Sequence, residues 1–162
     1  MATISVIKPE EVDTHVSRHG NVKSPYLVER DLVVSELIAK KGSALAAADV
    51  IEAIKLPKQT ALLAVFVGKL EADDATTLTF DVGVSADPDG YIDGYDAHAA
   101  AVDSVATAVV TPAPLNVTNA GDTVDVTLAT LTGTLTTGKF RIAALVVDVT
   151  DAVAPGKAAL GS

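Results

Sequence analysis

The densest group of chemistry-bearing side chains is Asp87-Pro88-Asp89-Gly90-Tyr91-Ile92-Asp93-Gly94-Tyr95-Asp96. Hard oxygen ligands in a glycine-bearing loop could hold calcium, with Asp87, Asp89, Asp93 and Asp96 as the ligand set. The run lacks the D-x-[DN]-x-[DN]-G spacing and the closing glutamate of an EF-hand. Asp-Gly pairs are also favoured simply because they turn tightly, so an ordinary turn is the plainer reading. A carboxylate pair could equally serve a glycosidase, but that needs rigid elements around an aromatic-lined cleft. The aromatic set is only Tyr26, Phe66, Phe80, Tyr91, Tyr95 and Phe140.

His15 and His19 stand at i, i+4, which on a helix would aim two imidazoles at one zinc ion. Gly20 and the polar neighbours oppose a helix there, and no third ligand lies nearby. His98 could pair with Asp96, although a lone surface histidine needs no partner. No G-x-S-x-G, phosphate loop or dinucleotide fingerprint occurs. With no cysteine, a thiol nucleophile, a thiolate metal site and a disulfide framework are all excluded. We therefore expect no enzyme, no catalytic residue, no cofactor and no metal. Lys69 and Arg141 sit inside apolar runs, which suggests an edge or a subunit interface. Lys8 and Arg18, in a charged amino-terminal stretch, complete the interface candidates.

Composition narrows the partners. The formal net charge of −9 argues against nucleic acid and against an anionic membrane surface, both of which need clustered Lys and Arg. The longest apolar run, within Ala61–Val67, is far too short for a bilayer span, and Met1-Ala2-Thr3 does not open a signal peptide. A chain of 162 residues is one ordinary domain. Its core must be aliphatic, because 49% of residues are hydrophobic but only 4% aromatic.

The elements that would position these residues are strands. Thr77–Val84 alternates Leu78, Phe80, Val82 and Val84 with polar residues or glycine, and Asp122–Leu128 does the same with Val124, Val126 and Leu128. Ala61–Leu70 and Lys139–Val149 are apolar on both faces, as expected of central strands or of strands whose second face meets another subunit. Weaker strands are predicted at Leu27–Ala39, Val50–Leu56, Val102–Val110 and Leu115–Thr118. A short helical turn is expected at Ser43–Ala48, before the Val50–Leu56 strand. Turn signals recur every 8–12 residues, the rhythm of a two-sheet sandwich. About eight strands fit an antiparallel, jelly-roll-like all-β sandwich over residues 26–162. An immunoglobulin-like sandwich is the competitor, weakened by the missing tryptophan and cysteines. Residues 1–25 show no period and read as an extended arm ordered against a partner, or as a floppy terminus.

Several of these segments together resemble tailed-bacteriophage virion structural proteins of the capsid decoration (cement) type. They are Ala46–Pro57, Thr60–Val67, Leu78–Gly83, Asp87–Gly94, Asp122–Leu128 and Gly138–Val149. The likeness covers roughly residues 45–150 and omits the arm. It implies a jelly-roll-like domain that binds the major capsid protein on the outer surface of the virion, commonly as a homotrimer, and it brings no catalytic residues. Two alternatives stay open: a calcium-assisted carbohydrate-binding or adhesion module, and a shell or tail-tube subunit.

Overall fold

The computed structural model describes residues 1–7, 24–58, 60–109 and 121–148. Among them run nine strands and one helix: β1 (Thr3–Ser5), β2 (Tyr26–Val33), α1 (Val34–Lys41), β3 (Val50–Leu56), β4 (Thr60–Glu71), β5 (Thr77–Val84), β6 (Asp87–Asp96), β7 (Val105–Val109), β8 (Asp122–Thr132) and β9 (Lys139–Asp148).

Four antiparallel pairs are nested along the chain: β5 with β6, β4 with β7, β3 with β8 and β2 with β9. Rolling that long ribbon sends alternate pairs to opposite sheets. β8 then joins β5 in one sheet and β9 joins β4 in the other. The outcome is a five-stranded sheet, β1-β3-β8-β5-β6, against a four-stranded one, β2-β9-β4-β7. This is the all-β jelly roll expected from the strand rhythm, with β1 added in parallel beside β3.

The period-2 alternation builds the core directly. Ile51, Leu78, Phe80, Val82, Val124, Val126 and Leu128 of the larger sheet meet Leu32, Val65, Val67, Phe140, Ile142, Ala144 and Val146 of the smaller. The rings of Phe80 and Phe140 meet edge-on at 4.9 Å and bridge the two sheets.

Four expectations need correction. The predicted strand Leu27–Ala39 stops at Val33 and turns into α1. Glu36 in the first turn, Lys40 and Lys41 in the last, and left-handed Gly42 donating to the Ile38 carbonyl at 2.8 Å favour the helix. Residues 43–48 form no helical turn, only bends and turns. The Asp87–Asp96 run is an edge strand rather than a loop. The chain reverses earlier, at Ser85-Ala86, and register shifts between β5 and β6 absorb the glycines. Finally, residues 3–5, assigned to the arm, form β1. Backbone bonds from Val50 N to Ala2 O and from Val6 N to Glu52 O hold that strand. The rest of the arm (8–23) and the predicted strand at 115–118 lie outside the described residues.

Candidate functional site

Two of the polar side chains that the fold buries, Lys69 and Asp49, are structural ties within the chain. Lys69 lies near the end of β4 and is 4% exposed. Its ammonium donates to Asp73 Oδ2 at 2.8 Å and to the His98 carbonyl at 2.9 Å, while Asp73 Oδ1 meets His98 Nδ1 at 3.0 Å. Burial pushes the Asp73 carboxyl upward. The bonds from Lys69, His98 and the Ala75 amide outweigh it and leave the acid below its ordinary value. Lys69 was expected at an edge or interface. It is instead enclosed by its own chain, because β4 has a neighbour on each side and the β6–β7 connection closes over its end.

Asp49 makes a second tie that the sequence reading missed. Its carboxylate accepts from the Ala2 amide at 2.9 Å, the Ala46 amide at 2.9 Å and Lys41 Nζ at 2.5 Å. One buried acid thereby fixes β1, the end of α1 and the bend before β3. Burial raises its pKa, but these donors prevail and the net shift is downward. The available signal was an isolated charge between Leu45-Ala46-Ala47-Ala48 and Val50-Ile51.

Arg141 faces outward on β9, opposite Asp31 of β2. Its Nε and Nη2 reach the two Asp31 oxygens at 2.7 and 3.1 Å, and Nη1 lies 3.6 Å from Glu29. Lys139 adds a contact to Asp31 at 3.2 Å. The Arg141 bond holds Asp31 below the usual carboxylate range. The ion pair imagined between subunits at Arg141 is thus satisfied within one chain. Lys8, Arg18, His15 and His19 lie outside the described residues.

Asp87, Asp89, Asp93 and Asp96 are exposed along β6. Asp96 Oδ1 accepts from the Ala99 amide at 2.8 Å, and the Gly94 amide donates to Asp81 rather than to any of the four. Among the described residues no three His, Asp or Glu side chains converge as metal ligands.

The two outer faces carry the more informative chemistry. On the five-stranded sheet, Thr79, Asp81, Glu52, Thr123, Asp125 and Thr127 alternate with the core residues and face away from it. Asp125 is 5% exposed, opposite Glu52 on one side and Gly83 on the other. A Cβ on Gly83 would fall 2.0 Å from the Asp87 carbonyl oxygen, so the start of β6 lies directly against that glycine. The Asp125 Oδ1 and Thr127 Oγ1 atoms are buried without a hydrogen-bond partner. Desolvation, with Glu52 and Asp122 nearby, raises the Asp125 pKa despite a bond from Thr123.

The outer face of the four-stranded sheet reads differently along every cross-strand row. One row is Asp31, Arg141, Gly68 and Val105; the next is Glu29, Ala143, Phe66 and Thr107. The third holds Leu27, Leu145 and Ala64, and beyond it Val147 stands beside Ala61. Leu27 is 49% and Val105 63% exposed, and Phe66, Leu145 and Val147 are half-buried outside the core cluster. This apolar surface is what the two doubly apolar sequence runs become.

No family model and no curated protein matches the chain. Solved structures do. A chain in the capsid of Ralstonia phage GP4 is 17% identical, with 91% of this chain and 98% of that chain covered and a TM-score of 0.64. A chain of the cyanophage Pam1 capsid asymmetric unit is 19% identical, covering 88% and 98%, with a TM-score of 0.61. A third is in the acid-stable capsid structure of Helicobacter pylori bacteriophage KHP30, at 16% identity, 78% and 90% coverage and a TM-score of 0.53. At such identities the likeness is one of fold: this chain is a jelly roll of the kind found in chains of phage capsid structures.

Proposed function

We propose that the protein is a structural, non-enzymatic virion component that binds the outside of a phage capsid and stabilises it as a decoration (cement) protein. The observation that carries this proposal is the end-to-end match. The GP4 and Pam1 chains are 98% covered, which supports a subunit of nearly this size over one domain of a longer shell protein. The apolar sheet face, with Leu27 and Val105 exposed on it, adds to it, since a surface of that kind is usually completed by assembly. A net charge of −9 also suits a component that must not aggregate its particles.

Binding across neighbouring copies of the major capsid protein would stabilise the shell by mass action, because only the assembled shell offers the composite site. The three-fold positions of a head would suit a homotrimer.

The test is cosedimentation of the purified protein with mature heads that lack it, followed by thermal release of their DNA. Saturable binding and later release are expected. Failure to bind any head of its own phage would remove the decoration role. If the isolated chain instead formed large tubes or shells, it would be a shell or tail-tube subunit.

A further inference from the structure

We infer that the apolar outer face of the four-stranded sheet is where one copy of this chain packs against another. The inference deepens the decoration reading by naming the partner of that face.

A sheet of a sandwich has one face for the core and one for water, and the outward residues are normally polar. Here the outward positions include Leu27, Phe66, Leu145, Val147 and Val105, all outside the core cluster, with Ala61, Ala64 and Ala143 already buried between them. At about 4.8 Å between strands and about 3.4 Å per residue, four strands and seven residue positions span roughly 19 by 24 Å. That is about half the roughly 800 Å² per partner of a standard interface, enough for the apolar centre with a polar rim around it.

Charge selects the occupant. Each copy carries −9, so two copies approaching through acidic surfaces repel. The other outer face presents Glu52, Asp81 and Asp125, with Lys55 as the basic residue on β3. The four-stranded face, by contrast, holds three acids and two bases, with Glu71 standing opposite Lys139 at the end of β4. Glu29 and Asp31 lie along β2, with Lys139 and Arg141 beside them on β9, and all four are engaged with one another at 2.7–3.6 Å. Its formal charge is only −1, and its charges are confined to one end. Like-charged copies can meet over the apolar rows while these charges stay at the rim.

The experiment is the absolute mass in solution, by light scattering behind a sizing column, at two concentrations about a hundredfold apart. Three proteins are compared: the wild type, the double variant Leu27→Glu/Leu145→Glu, and Thr77→Glu on the opposite face. Leu27→Glu alone serves as a fourth, since a side chain 49% exposed is not needed for the core. We expect the wild type and Thr77→Glu to run as the same small closed oligomer. The double variant should run at the mass of one 16.5 kDa chain. Leu27→Glu should weaken association at least tenfold with an unchanged circular dichroism spectrum.

A wild type that is monomeric at both concentrations overturns the inference. So does a folded double variant that keeps the wild-type mass. If that variant stays oligomeric but no longer cosediments with heads, the face belongs to the shell, and only the copy-to-copy assignment falls. If it dissociates while neither it nor the wild type binds heads, the assignment stands and the decoration role falls.

Discussion

On β8 the side chains that point away from the core are Thr123, Asp125 and Thr127. On β9, the strand with the corresponding inner place in the other sheet, Arg141 is followed outward by Ala143, Leu145 and Val147. Both strands bury a similar inner row, Val124, Val126 and Leu128 against Ile142, Ala144 and Val146. The inner rows make the fold, and they are interchangeable in kind. The outer rows are not. A strand facing water gains nothing from leucine at its outward positions, whereas a strand that will be covered gains about 25 cal/mol for each Å² removed from water. Under the proposed copy-to-copy contact, the difference between the sheets separates what folds the chain from what assembles it.

The sharpest way to break that contrast uses one residue type on one strand. Leu32 and Leu27 both lie on β2 but on opposite faces, 1% and 49% exposed. Leu32→Ala should cost about 2–5 kcal/mol, through lost transfer energy and a cavity against Phe140 and Leu37. Leu27→Ala should cost no more than about 0.5 kcal/mol in the isolated chain. Denaturant unfolding at low protein concentration measures both. Equal losses would mean that the two faces are not distinct in the monomer.

The inner face of the four-stranded sheet also ends in a charge. Lys69→Ala leaves the Asp73 carboxylate buried with only His98 and one amide to answer it. A loss of about 3 kcal/mol is expected, the usual scale for removing one partner of a buried pair. Lys69→Met in an Asp73→Leu background should recover most of it, because replacing both partners by apolar groups leaves no unpaired charge. A small loss in the single variant would show that water reaches Asp73 freely.

Much of this was legible in the sequence, for a specific reason. β5 falls on Thr77–Val84 as predicted because its inner row obeys period 2, and β3 falls on Val50–Leu56 as predicted although a register shift between Glu52 and Ile54 breaks its alternation. Ala61–Leu70 and Lys139–Val149 lack alternation in the sequence, and in the fold their second face is the apolar outer face of the four-stranded sheet. What could not be read were facts fixed by distant parts of the chain. Val33-Val34 looks like continuing strand, yet a helix starts there and ends at Gly42. Asp87–Asp96 has turn chemistry throughout, yet it pairs with β5, whose own edge needs a partner. Lys69 and Asp49 meet groups 29 and 47 residues away, which no local pattern records.

A gentler probe concerns the polar face. Asp125 has a raised pKa, so its favourable contribution is complete below the ordinary carboxyl range and is lost as pH rises through the raised folded value. Asp31, Asp49 and Asp73 have lowered values and act in the opposite sense: they contribute above the ordinary range and lose their effect as pH falls. Asp125→Asn removes only the first term, and its amide can donate toward Glu52. The variant should match the wild type at acid pH and exceed it by about 1 kcal/mol near neutrality, read as a difference in denaturation midpoints. A constant offset across the pH range would mean that burial of Asp125 does not disfavour its charge.

The smallest effect belongs to the charged end of the apolar face. Arg141 and Asp31 form a two-point pair, but their side chains are 42% and 30% exposed, so solvent screens them. In the folded single chain Arg141→Lys should cost little, with much of the difference removed by high salt. Lysine keeps the charge but loses the fork that grips both carboxylate oxygens. The informative measurement is therefore association and stability in parallel. If the four charges form the rim of a copy-to-copy contact, Arg141→Lys should weaken self-association by a larger factor than it weakens folding, because the freed Asp31 would then be desolvated with one donor fewer. Equal, small changes in both would place these charges in water in every state of the protein and leave the apolar rows alone to hold the copies together.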